Sequence, residues 1–191
     1  MVTAPGAAPL RLRRAERVLA ERTRSLTVVL DHLRTPLNAS AVLRTAEAFG
    51  LQELHLVDRH GRPVPMADIT LRAHRWVDLH WYRSTAGIVA SLRDRGFRIL
   101  AAAPGPDAVP FDEVALDGST ALVFGNERDG ISTELLAAVD ARFFLPATGF
   151  VRYVNLSAAV AMSVHAIDRR MRAAGLRRGL DDDDRRALRR A

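Results

Sequence analysis

The chain of 191 residues contains no cysteine. Disulfide scaffolds, thiolate zinc sites and cysteine nucleophiles are excluded together. Lysine is absent too, so all 28 basic residues are arginine. A P-loop lysine, a Schiff-base lysine and a lysine general base are thereby ruled out. No apolar run approaches the roughly 18 residues that a membrane-spanning helix needs. Residues 1–10 place no basic residue ahead of their apolar ones, the reverse of a secretion signal. The expectation is a cytoplasmic protein with no membrane partner. The six histidines show neither H-x-x-x-H nor H-E-x-x-H spacing, so no metal is expected.

What is present is the balance of a folded domain: 48% hydrophobic and 26% charged residues in a length suited to one hydrophobic core. The charge is uneven. Residues 1–24 hold six Arg against two Glu, and residues 169–191 hold nine Arg against four Asp, whereas the stretch between them is net negative. Arginine abundance alone says little, because a GC-rich coding sequence produces it. Its concentration at both ends suits contact with a polyanion, nucleic acid first, with solvation of frayed ends as the plainer alternative.

Along the chain, Pro9 stands where a helix could start, with Leu12, Ala15 and Leu19 on one face and Arg13 and Arg17 on another. The run LTVVL at 26–30 reads as a buried strand. Asn38 is placed to cap a helix carrying Val42, Ala46 and Phe49, ended by Gly50. Strands are expected at 54–57, 77–82, 97–103, 121–124 and 143–145, a small helix at 66–74, a helix from Ser84 to Gly96, and a loop at 104–110. Leu156, Val160, Val164, Ile167 and Met171 recur at the spacing of a long final helix. Strands alternating with helices predict an α/β fold, a largely parallel sheet flanked by helices.

Ligands of open parallel sheets bind beyond the carboxyl ends of the strands, which directs attention to three loops. In the first, Asn38 to Gly50, Arg44 is a permanently charged fork able to meet a phosphate, or else a solvated surface residue. In the second, Phe124 to Ile131, Gly125 and Gly130 allow backbone close to a ligand, though a plain turn explains them equally. It is neither a Walker loop nor a dinucleotide fingerprint. The third, Leu145 to Ser157, leads apolar residues into a helix N-terminus where Asn155 or Ser157 could cap or bind. Trp76, Trp81 and Tyr82 could stack on bases or belong to a core. His165 falls among core positions of the last helix.

In order and spacing, these loops resemble the three motifs of the SpoU/TrmH family of RNA ribose 2'-O-methyltransferases, in the SPOUT superfamily, and most closely its tRNA guanosine-18 branch. The resemblance covers nearly the whole chain. It implies a SPOUT-type domain over residues 25–175 with a C-terminal deep trefoil knot, between a basic N-terminal helix (1–24) for RNA contact and a charged tail (176–191). It implies methyl transfer from S-adenosylmethionine to a ribose 2'-hydroxyl of tRNA, with rRNA methylation or a catalytically silent RNA-binding role as alternatives, and assembly as a homodimer through the apolar face of the last helix, with Val160, Val164 and Ile167.

Residue by residue, Arg44 matches the arginine that helps activate the hydroxyl and Asn38 the asparagine that shapes that site. Glu127 matches the second motif's acid and Asn155 the third motif's asparagine. Cofactor contacts fall on Ala102, Gly125, Asn126, Ile131, Leu145, Val154 and Ser157. RNA contact is assigned to Arg11, Arg13, Arg14, Arg17 and Arg152. Where the family usually reads Gln-Ser-Leu-Asn before the last helix, this chain has Arg152-Tyr153-Val154-Asn155. A ring replaces the small hydroxyl expected to meet substrate phosphate, and Arg152 can take over that contact.

Overall fold

A computed structural model describes residues 10–32, 35–58, 73–150 and 154–189. The wholly buried sequence LTVVLD forms β1 (Leu26–Asp31), the third strand from one edge of a seven-stranded, wholly parallel sheet. On one side β1 pairs with β2 (Glu53–Val57), which pairs with β3 (Asp78–Tyr82). Two further strands come next in the chain, β4 (Arg98–Ala102) and β5 (Ala108–Pro110). On its other side β1 pairs with β6 (Thr120–Phe124), followed in space by β4, then β7 (Ala141–Phe144), then β5. The expected α/β class and parallel sheet are thus found.

Alternate strand residues point to opposite faces, and each face is covered. Leu26, Val28, Leu30, Leu54, Leu56, Leu100 and Leu122 meet α2 (Pro36–Ala48) and α5 (Leu156–Ala173). Val29, Ile99, Ala101, Ala121 and Val123 meet α3 (Thr85–Asp94) and Leu135 of the short α4 (Thr133–Leu136). Each fully buried aliphatic side chain contributes about 1.5–3 kcal/mol by leaving water. Val160, Val164 and Ile167 of α5 are 0–2% exposed and spent in this core. They therefore do not form the outward apolar face expected for dimer contact; the exposed positions of α5 are Met162, His165, Arg169, Arg172 and Ala173.

Three local expectations change, and a fourth lies mostly outside the described residues. Thr35 stands at the N-cap of α2 and Pro36 opens the helix, where a missing N–H costs nothing; Asn38 is therefore inside the first turn and not the cap. The stretch at 104–110 contains β5, a three-residue edge strand whose terminal proline an edge tolerates. Most of the expected 66–74 helix lies outside the described residues, and Ala73–Arg75 form a 3₁₀ turn. His165 is exposed and rests against the Phe49 ring, centroids 5.7 Å apart.

The two ends of the chain meet at the amino ends of the strands. Residues 176–181 run back past β1, where Thr23 bridges Gly179 and the Thr23 hydroxyl donates to the Arg178 carbonyl at 2.5 Å. Leu180 is buried. Arg24 then grips Asp184 of α6 (Asp182–Leu188) through two bonds of 2.7 and 2.8 Å, and reaches Asp78 and Glu53. Arg189 forks onto Glu16 of α1 (Leu10–Glu21) with two bonds of 2.7 Å. Part of the terminal positive charge is therefore neutralised inside the molecule.

Candidate active site

At the opposite, carboxyl, end of the sheet a cavity of about 430 Å³ opens among the ends of β4, β6 and β7 and the start of α5. Its walls bring together Ala102, Gly125, Asn126, Glu127, Ile131, Leu145 and Val154 from stretches far apart in the chain. Phe143, Leu136 and Leu156 make much of the surface apolar. Ser157 is not part of the lining, although its neighbours Leu156 and Ala159 are.

The loop after β6 has a fixed shape. Asn126 is buried, and its side-chain oxygen accepts from the backbone N–H of Arg128 (3.0 Å) and Asp129 (2.8 Å). The Gly130 N–H returns to the Asn126 carbonyl at 3.0 Å. This folds the backbone so tightly that a Cβ on Gly125 would lie 2.0 Å from the Gly130 carbonyl carbon, and only glycine fits.

Asn38 joins the first loop to the second by donating its side-chain amide to Glu127 Oε1. This places Asn38 beside the cavity that Glu127 lines. Arg44 is placed elsewhere. Six residues further along α2 it is about 9 Å up the axis and turned to another face. It is exposed, without an ion-pair or hydrogen-bond partner among the described residues, and borders a separate hollow with Phe49 and Trp76. Asn155 caps α5, accepting from the Ser157 N–H at 2.9 Å and the Ser157 hydroxyl at 2.7 Å.

Arg13, Arg14 and Arg17 are exposed on α1. Arg11 belongs to the same helix, but its side chain, like Arg152 and Tyr153, lies outside the described residues. Trp76 and Trp81 are both more than 40% exposed, which removes them from the core. Among the described residues there is no cluster able to hold a metal ion, and no helix long and apolar enough to cross a membrane.

Sequence reasoning missed Asp31. This wholly buried carboxylate ends β1 and accepts the Ser132 N–H through Oδ2 at 2.7 Å, fastening the far end of the cavity loop. The only signal was an acid closing an apolar run, which reads as a strand terminator.

Residues 25–165 match the model of the SpoU rRNA Methylase family. The chain belongs to that family. Among curated SpoU relatives, the tRNA (guanosine(18)-2'-O)-methyltransferase of Thermus thermophilus is 37% identical, the match covering 87% of this chain and 86% of the relative. The enzyme of that name from Borreliella burgdorferi is 31% identical, with 92% and 81% covered. Among solved structures, that of the A. aeolicus TrmH/SpoU tRNA modifying enzyme superposes with a TM-score of 0.85 at 28% identity, covering 94% of this chain and 93% of that one. The SpoU match begins at the start of β1 and ends within α5. It takes in all seven strands and the cavity, and leaves out α1 and α6.

Proposed function

We propose that the protein transfers a methyl group from S-adenosylmethionine to the ribose 2'-hydroxyl of guanosine 18 in the tRNA D-loop. One observation carries this reading: Asn38 and Glu127, from the first and second motifs, meet at a cavity of cofactor size built on the carboxyl ends of parallel strands. The names of the relatives supply the RNA and the position.

The residues present fit the cofactor. Apolar walls at Ile131, Leu136, Phe143 and Leu156 suit an adenine ring, and backbone at Ala102, Gly125, Leu145 and Val154 can meet its polar edges. S-adenosylmethionine supplies an activated methyl on a sulfonium, so the protein's task is to orient the ribose and favour loss of its hydroxyl proton. In this reading Arg44, a guanidinium with no partner among the described residues, lies beside a substrate phosphate and stabilises the developing alkoxide. Asn38 and Glu127 shape the rim where the ribose enters, and Asn155 with Ser157 order the start of α5. Arg13, Arg14 and Arg17, with Arg11 and Arg152, hold the RNA backbone.

The reading includes a homodimer and the knotted threading of the family. Arg44 does not line its own chain's cavity, which favours delivery to a second copy's cavity, and Leu37 of α2 and Met162 of α5 are exposed apolar positions that such contact would cover. Light scattering is expected to give twice the chain mass.

The test is methyl transfer to a tRNA transcript with guanosine at position 18. The expected product is one 2'-O-methylguanosine per tRNA, none when that position carries a 2'-deoxynucleotide, and none on naked rRNA. Labelling of rRNA with no transfer to tRNA would overturn the substrate assignment.

A further inference from the structure

Asp31 is 0% exposed, and a buried carboxylate is costly unless its oxygens are engaged. One oxygen, Oδ2, takes the Ser132 N–H at 2.7 Å. The other, Oδ1, accepts no hydrogen bond among the described residues and is faced by His32 Nε2 at 3.4 Å. Neighbouring strand residues normally point to opposite sides of a sheet, so a residue cannot ordinarily cover the side chain before it. Here the chain turns left-handed at His32, with φ +52°, the single non-glycine residue with positive φ among those described. That turn folds the imidazole back onto the Asp31 carboxylate.

Ser132 sits at the junction that matters. It follows Ile131, the last wall residue of the cavity loop, and is the N-cap of α4. Its own side chain makes no capping bond, and its hydroxyl is buried without a partner among the described residues. The bonds of Asn126 set the shape of the loop internally, but none of them ties it to the sheet. The Asp31 bond does, across 101 residues of chain.

We propose that Asp31, covered by His32, is a positioning residue for the cofactor. Through the Ser132 N–H it latches the 125–131 wall against β1, so that the cavity is formed before S-adenosylmethionine enters. The inference rests on reading the cavity as the cofactor site. Asp31 takes no part in the chemistry, and the effect is confined to cofactor affinity.

The test combines calorimetry with S-adenosylmethionine, steady-state methyl transfer, and hydrogen exchange of residues 125–132. Asp31→Ala is expected to weaken cofactor binding and raise its KM by about tenfold, the size of one lost charge-assisted hydrogen bond, while kcat stays within about threefold. Exchange in the loop rises. Asp31→Asn keeps an oxygen for the same N–H and is expected to restore both affinity and protection. Ser132→Pro removes the donor N–H together with a hydroxyl that has no partner among the described residues, at a residue whose φ of −59° already suits proline. It should reproduce Asp31→Ala, with the double variant no worse than either, and it carries the test if Asp31→Ala does not fold.

Wild-type affinity in Asp31→Ala or in Ser132→Pro would overturn the latch, as would an asparagine variant as weak as the alanine one, or a fall in kcat at unchanged KM. Those results leave the cofactor reading standing. A wild-type chain that binds no S-adenosylmethionine would overturn both.

Discussion

Asn38 and Glu127 are 89 residues apart in the chain and share a hydrogen bond, the amide of one meeting the carboxylate of the other beside the cavity. The bond ties the first turn of α2 to the loop after β6. Asn38→Ala and Glu127→Ala should each lower methyl transfer, and the double variant should be less impaired than the two losses added. A coupling of about 0.5–3 kcal/mol is expected for groups in direct contact. Additive losses in a double-mutant cycle would mean that the two residues act separately.

Arg44→Ala should lower kcat by about 10²–10³, the range for removing a group that stabilises developing negative charge. Its exposure and its place outside the cavity lining predict that cofactor binding, measured by calorimetry, changes less than twofold. Arg44→Lys should restore little, because a point charge does not reproduce a guanidinium fork. A near-normal rate in Arg44→Ala would remove Arg44 from the reaction, and one in Arg44→Lys alone would show that a point charge suffices there.

The proposed contact of α1 with tRNA is best tested by replacing Arg13, Arg14 and Arg17 with glutamine. Removing residues 1–24 would also take away Arg22, which is 2% exposed and bonded to Gln52 and the Leu51 and Trp76 carbonyls, and Arg24, which holds α6. The triple variant should keep its thermal stability yet bind tRNA more weakly, with the salt dependence of log K flattened by up to about 2–3. An unchanged slope would place the RNA on another surface.

Glu53 makes stability pH-dependent. Burial pushes its carboxyl upward, but His55 (Nε2 at 3.5 Å) and Arg95 (2.5 Å) outweigh burial and hold it at about 2, below the ordinary 4.5 of a glutamate. A carboxyl depressed in the folded state contributes fully above 4.5, and the contribution is lost as pH falls from 4.5 towards 2. The amount is about 3 kcal/mol. Urea unfolding at pH 7 and pH 3 should show the loss, and Glu53→Gln should be less stable at pH 7 with a shallower acid limb. Parallel acid limbs for the two proteins would contradict the assignment.

Much of this was legible in the sequence because the signals were local. LTVVL could only be a buried strand, Gly50 and Gly96 mark helix ends with positive φ, and the spacing from Leu156 to Met171 drew α5 almost to the residue. Gathering Gly125, Ile131, Leu145 and Val154 around one cavity followed from motif order. What escaped depended on partners far away. Periodicity gave α5 an apolar face without saying that its own sheet would use it. Asn38 has the residue type of a cap, and Pro36 took the helix start instead. Arg44 matches the first motif, and the geometry of α2 nevertheless turns it from its own cavity. Asp31 carries no motif at all, since its meaning is a backbone amide that arrives a hundred residues later.

The fastening of Glu16 to Arg189, and of Arg24 to Asp184, spans 173 and 160 residues of sequence. Contacts so distant close long loops, and that loop entropy is offset only once the sheet between them is in place. These clasps therefore reinforce the finished fold and give little help to its earliest steps.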